Sequence, residues 1–223
     1  MNTGSNETIR RPFTRYVLPF IVFVSLGKLQ TLGGAESVFW LYSLKISFTA
    51  FLFFFLFRGH WEEIQGKFEW PAVWLGVFCL IVWLLPYLLI HHESEIAVFN
   101  PNNIENKSFA LLAISIRLIG ACLVVPVIEE IIWRSFLMRF FVSQYFLNIS
   151  LGTYTHFSFW LTAATFAVMH HPRDWLAAVI VAALYGYYLV RTKNLVGCMV
   201  AHGTTNLGLG LYVIIFERWT LWN

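Results

Sequence analysis

Apolar runs long enough to cross a bilayer recur along this chain, at about residues 15–32, 38–57, 70–90, 108–125, 127–147, 156–171, 174–190 and 195–216. A helix of about 20 apolar residues covers a hydrocarbon core about 30 Å thick. In that core every backbone polar group has to be bonded within its own structure, which leaves only helical bundles and closed barrels. A barrel requires short strands of alternating polarity, and this sequence shows continuous apolar runs instead. The composition agrees, with 58% hydrophobic and 12% charged residues, where soluble domains carry about 25% charged. The fold class read here is all-α, a polytopic transmembrane bundle of seven to eight helices. It forms one integral membrane domain over 1–223 behind a polar cytoplasmic stretch at 1–14. Pro126 sets the ambiguity in helix number. Proline removes a backbone donor, so the runs at 108–125 and 127–147 read as two spans or as one broken helix.

The formal charge is +3 and the basic residues are dispersed, which argues against a nucleic-acid partner. Cys79, Cys122 and Cys198 lie in apolar runs without CxxC spacing, so they read as packed hydrophobes. Arg10, Arg11 and Arg15 precede an apolar stretch ending near Gly33-Gly34-Ala35, a pattern similar to a signal peptide. The later spans make an uncleaved anchor the simpler reading. Counting Lys and Arg in short loops over eight spans puts both termini on the cytoplasmic side, with Arg58, Lys67, Arg134, Arg139, Arg173 and Arg218 on or near it. Lys107, Arg191 and Lys193 fall on the wrong side of that count. Glu36, Glu93, Glu95 and Glu105 occupy the opposite loops, and His91-His92 reads as a solvated loop pair.

Three polar clusters interrupt the later apolar runs. Glu129-Glu130 and Arg134 follow a wholly apolar approach, and intramembrane acids by default mark a functional site facing the bundle interior. Glu130 and Arg134, four apart, share a helix face and can pair, while Glu129 points about 100° away. His170 closes an apolar segment that Pro172 should terminate, which holds its ring at a helix end. His202 and Asn206 stand one turn apart on one face of the last run. They can direct hydrogen-bond donors to one point or join helices together. Cys198, one turn before His202, raises a thiol nucleophile as a rival, but its neighbours are apolar and packing is the better reading.

In order and on separate apolar helices, Glu129-Glu130-x-x-x-Arg134, Phe166-x-x-x-His170 and His202-x-x-x-Asn206 resemble the three motifs of the CAAX prenyl protease and bacteriocin-processing family, the glutamate intramembrane endopeptidases. The stretch Tyr185 to Thr192 is similar to that family's approach to its third motif, and the likeness spans about 109–211. Length and span pattern further resemble the bacterial CAAX protease-related proteins of exosortase systems. The resemblance implies a bundle of about eight helices, in a bacterial inner membrane, with a cavity open toward membrane and cytoplasm. It implies that Glu129 and His170 activate a water that attacks a peptide carbonyl. It implies that His202 and Asn206 stabilise the oxyanion, and that Glu130 and Arg134 support the site. No cofactor is implied, and the partners are a membrane-associated polypeptide and the lipid bilayer.

Other readings use the same residues. Glu and His are competent zinc ligands, although His-Glu-x-x-His is missing from the sequence and Arg134 puts a cation near where the metal would sit. A non-proteolytic scaffold or immunity protein is a third reading, and a transporter a fourth, for which the sequence offers no inverted repeat.

Overall fold

The computed structural model describes the backbone over residues 3–30, 35–89 and 99–222, and side chains over 12–29, 38–89 and 99–222. His91, His92, Glu93, Glu95 and the Gly33-Gly34 stretch lie outside the described residues, as do the side chains of Arg10, Arg11 and Glu36. Among the described residues the chain is all-α: α1 (Thr3–Gln30), α2 (Ala35–Phe57), α3 (Trp70–Leu89), α4 (Lys107–Phe140), α5 (His156–Val168), α6 (Trp175–Thr192) and α7 (Leu195–Phe216). Six of these, all but α5, hold a span long and apolar enough to cross a membrane. The protein is an integral, multi-pass membrane protein. Trp74, Leu89, Leu176 and Ile215 are largely exposed on the outside of the bundle, where lipid tails rather than water would meet them.

The helix boundaries follow local chemistry. Asn106, Thr155 and Asn194 cap α4, α5 and α7 by accepting the N–H of Phe109, Ser158 and Gly197. Lys193 and Glu217 close α6 and α7 in the left-handed region, at φ 57° and 53°. α5 stops at Val168, two residues short of the end that Pro172 predicts.

Residues 107–140 form one helix, which settles the ambiguity at Pro126. The helix does not break there because the preceding turn, Gly120–Val124, is π-wound, with the Val125 N–H bonded five residues back to Gly120. The wider turn makes room for the proline ring. After Phe140 the helix ends and the chain turns through a 3-10 turn at Phe146–Asn148, with Phe146 packed into the core, so residues 127–147 are not a separate span.

That continuity alters the topology. Arg15 pairs with Glu63 at 3.1 Å, the Leu195 N–H donates to Gln65, and Lys193 Nζ donates to Gly152 at 2.6 Å. The start of α1 therefore shares one end of the bundle with the α2–α3, α4–α5 and α6–α7 connections. Val38, Phe99, Trp219 and Trp222 cluster at the other end, and Asn102 bonds Glu217 there. Among the described residues seven helices alternate in direction, which puts the start of α1 and the end of α7 at opposite ends of the bundle and not, as expected, on one side. That expectation counted α4 twice.

Candidate active site

Two packing devices bring α7 deep into the bundle. Against α3, the close approach is at Gly76, where a Cβ would lie 2.4 Å from the Ala201 carbonyl, and Thr205 Oγ1 donates to the Gly76 carbonyl at 2.8 Å. Small residues of this kind let transmembrane helices meet backbone to backbone. Against α4, Gly203 faces the turn before Pro126, and a Cβ there would lie 2.7 Å from the Cys122 carbonyl. Proline at 126 offers no N–H, and in the π register its partner would have been the carbonyl of Ala121. Asn206 Nδ2 donates to that carbonyl at 2.8 Å.

This approach places His202 beside the acidic doublet of α4. Its Nδ1 lies 2.8 Å from Glu130 Oε1, while the Arg134 Nε lies 3.2 Å from Oε2 of the same carboxylate. Glu130 and Arg134 are both buried. The guanidinium donates to the Ala182 carbonyl at 3.3 Å and lies over the Phe166 and Tyr185 rings, 5.1 Å and 5.3 Å from their centroids. Tyr185 stacks on His202 with centroids 5.6 Å apart, and its hydroxyl reaches Thr205 at 2.6 Å. Glu130 thus joins α4 to α7, and Arg134 joins α4 to α5 and α6. Immediately after Glu130 the helix is π-wound again, over Ile131–Leu137.

Glu129 lies on the other side of α4, half-buried, and lines a cavity of about 450 Å³. His170, His202 and Asn206 line the same cavity, so side chains from α4, α7 and the end of α5 converge on it. His170 is held by a hydrogen bond at 2.9 Å between its Nδ1 and the Phe166 carbonyl, and its ring packs edge-on against Trp83 at 5.2 Å. A carbonyl only accepts, so in that bond Nδ1 carries the proton and Nε2 the lone pair of the neutral ring. His202 is oriented in the same manner, with Nδ1 committed to Glu130.

Cys198 is buried, its thiol directed at the Tyr185 carbonyl at 3.6 Å, and it does not line the cavity. Among the described residues no three His, Cys, Asp or Glu side chains are grouped as metal ligands. The donor set fits zinc poorly, since Glu130 is engaged by Arg134 and His202.

Residues 110–208 match the family model described as Type II CAAX prenyl endopeptidase, Rce1-like. Over this stretch, which is less than half of the chain, the helices that carry the site are similar to the CAAX prenyl protease family. The matched stretch begins in α4 and ends in α7, so it contains all three clusters. Comparisons with curated proteins and with solved structures gave no match. The match supports the general activity of a CAAX-type intramembrane protease, with a polypeptide substrate and a bilayer around it.

Three residues close to the family's motifs were not predicted as site residues. Tyr185 floors the cavity, and aromatic residues in apolar runs give no signal of their own. Arg117 lines the cavity, its guanidinium 4.9 Å from the Tyr42 centroid and bonded to the Trp222 carbonyl. Lys45 stands between Phe23 and Tyr42, 4.6 Å and 4.9 Å from their centroids. Both are single charges inside apolar runs, the same signal that drew attention to Glu129.

Proposed function

We propose that this protein is a glutamate-type intramembrane endopeptidase that hydrolyses a peptide bond of a membrane-associated polypeptide. The observation that carries the reading is the convergence of Glu129, His170, His202 and Asn206 on one cavity. Glu129 has a carboxylate in the cavity wall free of the Glu130 network, and His170 offers an Nε2 lone pair there. Between them they take the proton of a water as it attacks the scissile carbonyl, and His170 passes a proton to the leaving amine. The oxygen of the tetrahedral intermediate is met by His202 and by the second N–H of the Asn206 amide, since the bond to Ala121 uses only one. With its Nδ1 edge held on Glu130, His202 presents its Nε2 edge to the oxyanion.

Glu130 and Arg134 act through position. Their contacts fix His202 and tie the helices around the cavity, so that donors are in place before charge develops. The decisive experiment incubates the purified protein in detergent with membrane-derived polypeptides and maps new termini by mass spectrometry. Cleavage by the parent chain and none by Glu129→Gln is the expected result. Equal cleavage by both, or none by either across a broad peptide set, would defeat the reading.

A further inference from the structure

A second cavity, of about 770 Å³, lies along the seam between α5 and α6. Its size is within the range of about 300–1,000 Å³ that ligand sites occupy. It shares no residue with the cavity that holds Glu129 and His170. Phe159 of α5 forms its floor and presses on Gly186 of α6, where a Cβ would meet the ring at 2.9 Å. Along the groove Ile180, Ala183, Tyr187 and Arg191, spaced three or four apart, form one stripe of α6. Trp160, Ile180 and Tyr187 are exposed, and in an integral membrane protein an apolar outer face of this kind meets lipid.

The groove is charged at one end. Arg191 stands in the last turn of α6, and Tyr154, which also lines the groove, precedes α5 in the α4–α5 connection. Lys193, the residue that closes α6, reaches the same connection through its bond to Gly152. This end is where both helices meet the bilayer surface, and Tyr and Trp are the residues that favour that depth. Neither Arg191 nor Lys193 forms an ion pair with a described residue. Asp174 is the one acid in residues 131–216, and it precedes α6 at the opposite end. Glu69, which approaches α6 from the α2–α3 connection, is taken up by Lys67 and Tyr188. A guanidinium and an ammonium without counter-charge, beside an apolar groove, call for a ligand that is anionic at the bilayer surface and apolar below it.

We propose that this groove binds an anionic phospholipid, with an acyl chain along the α6 stripe and the phosphate on Arg191. A guanidinium meets a phosphate through two parallel N–H donors. Lys193 keeps two of its three N–H donors after the bond to Gly152. A zwitterionic phospholipid offers the same chains and phosphate but brings its own ammonium, which both cations repel. A soluble phosphate has no chain for the groove to hold. The site is independent of the endopeptidase reading.

Native mass spectrometry of the purified full chain, titrated with phosphatidylglycerol or with phosphatidylcholine of the same acyl chains, tests the charge. The parent chain is expected to bind phosphatidylglycerol about fivefold more tightly, the effect of roughly one basic side chain at an anionic surface. Arg191 is exposed, so Arg191→Gln leaves the fold intact and should remove that preference. Arg58→Gln, at an exposed arginine that follows α2 at the same end of the bundle, should keep it. Equal binding of the two lipids by the parent chain, a preference that survives Arg191→Gln, or the same loss in both variants overturns the proposal. Position is read separately, by photo-crosslinking phosphatidylglycerol that carries a diazirine in its acyl chain to the parent chain. Adducts concentrated in residues 154–160 and 179–191 are expected, and adducts on the outer faces of α2 and α3 with none in those two segments refute it. Excess glycerol phosphate should leave the lipid in place, and its displacement of the lipid would show a site for soluble phosphate instead.

Discussion

The side-chain amide of Asn206 donates to the carbonyl of Ala121, the acceptor that residue 126 would have used in the π register were it not proline. One side chain of α7 therefore repairs the backbone defect of α4 and, by doing so, holds its amide at the cavity wall. Helix joining and oxyanion binding, which the sequence presents as alternatives, are compatible in this geometry.

Asn206→Ala should accordingly do two things. Loss of the interhelical bond should lower stability by about 0.6 kcal/mol, and by no more than about 1.7. Loss of the oxyanion donor should lower turnover about 10²–10³-fold with little change in KM. Pro126→Ala restores an N–H that can take the Ala121 carbonyl, so in that background the stability cost of Asn206→Ala should shrink toward zero while the loss of turnover persists. Melting temperatures and single-turnover rates on the four proteins of the cycle decide it. A full stability cost in both backgrounds would show that Asn206 is not compensating for the proline.

The two acids of the doublet should separate cleanly. Glu129→Gln keeps nearly the same shape but cannot accept a proton, so the chain should fold with parental stability and lose cleavage. Glu130→Gln leaves the buried Arg134 without its counter-charge, and removing one partner of a buried ion pair costs about 3–5 kcal/mol. Its thermal stability should fall before its chemistry can be measured. Retained cleavage in Glu129→Gln with a stable, inactive Glu130→Gln would mean that the roles are reversed.

Much of this architecture is legible from hydropathy because lipid imposes a single rule on every backbone group. The predicted runs at 38–57, 70–90 and 195–216 end within about three residues of α2, α3 and α7. Spacing along one helix also places Glu130 and Arg134 together, and they are 3.2 Å apart. What spacing cannot supply is contact between helices. The Glu130–His202 bond crosses 72 positions, and the Ala121 carbonyl that Pro126 leaves without an N–H is met by Asn206, 80 residues beyond the proline. Topology was misjudged for the same reason: a proline's effect on a helix is decided by what packs against it. Arg117 and Lys45 were readable but passed over, since one charge does not change the mean hydropathy of a run.

Metal content provides an independent check on the mechanism. Glu and His ligands arranged for a divalent ion should retain it through gentle purification, and activity should follow occupancy. We expect elemental analysis to find well below one zinc per chain, and chelator to leave the cleavage rate unchanged. Loss of cleavage on chelation with recovery on zinc addition would replace the glutamate mechanism by a metal-dependent one.

Gly203 offers the sharpest test of how the site is assembled, because it touches no reacting group. A Cβ at this position would stand 2.7 Å from the Cys122 carbonyl, a backbone atom that cannot rotate away, so Gly203→Ala should force α7 off α4. His202 and Asn206 flank the contact and would move with it. Overpacking of this kind costs about 1–3 kcal/mol. A displacement near 1 Å between reacting groups typically costs about 10²-fold in rate, and a loss of that order is expected here. Gly27→Ala is the control, since a Cβ there meets only the Lys45 side chain at 3.8 Å, an ordinary contact. It should leave cleavage unaltered. If Gly203→Ala melts and cleaves like the parent chain, the close approach of α7 to the Pro126 turn is not what positions the site.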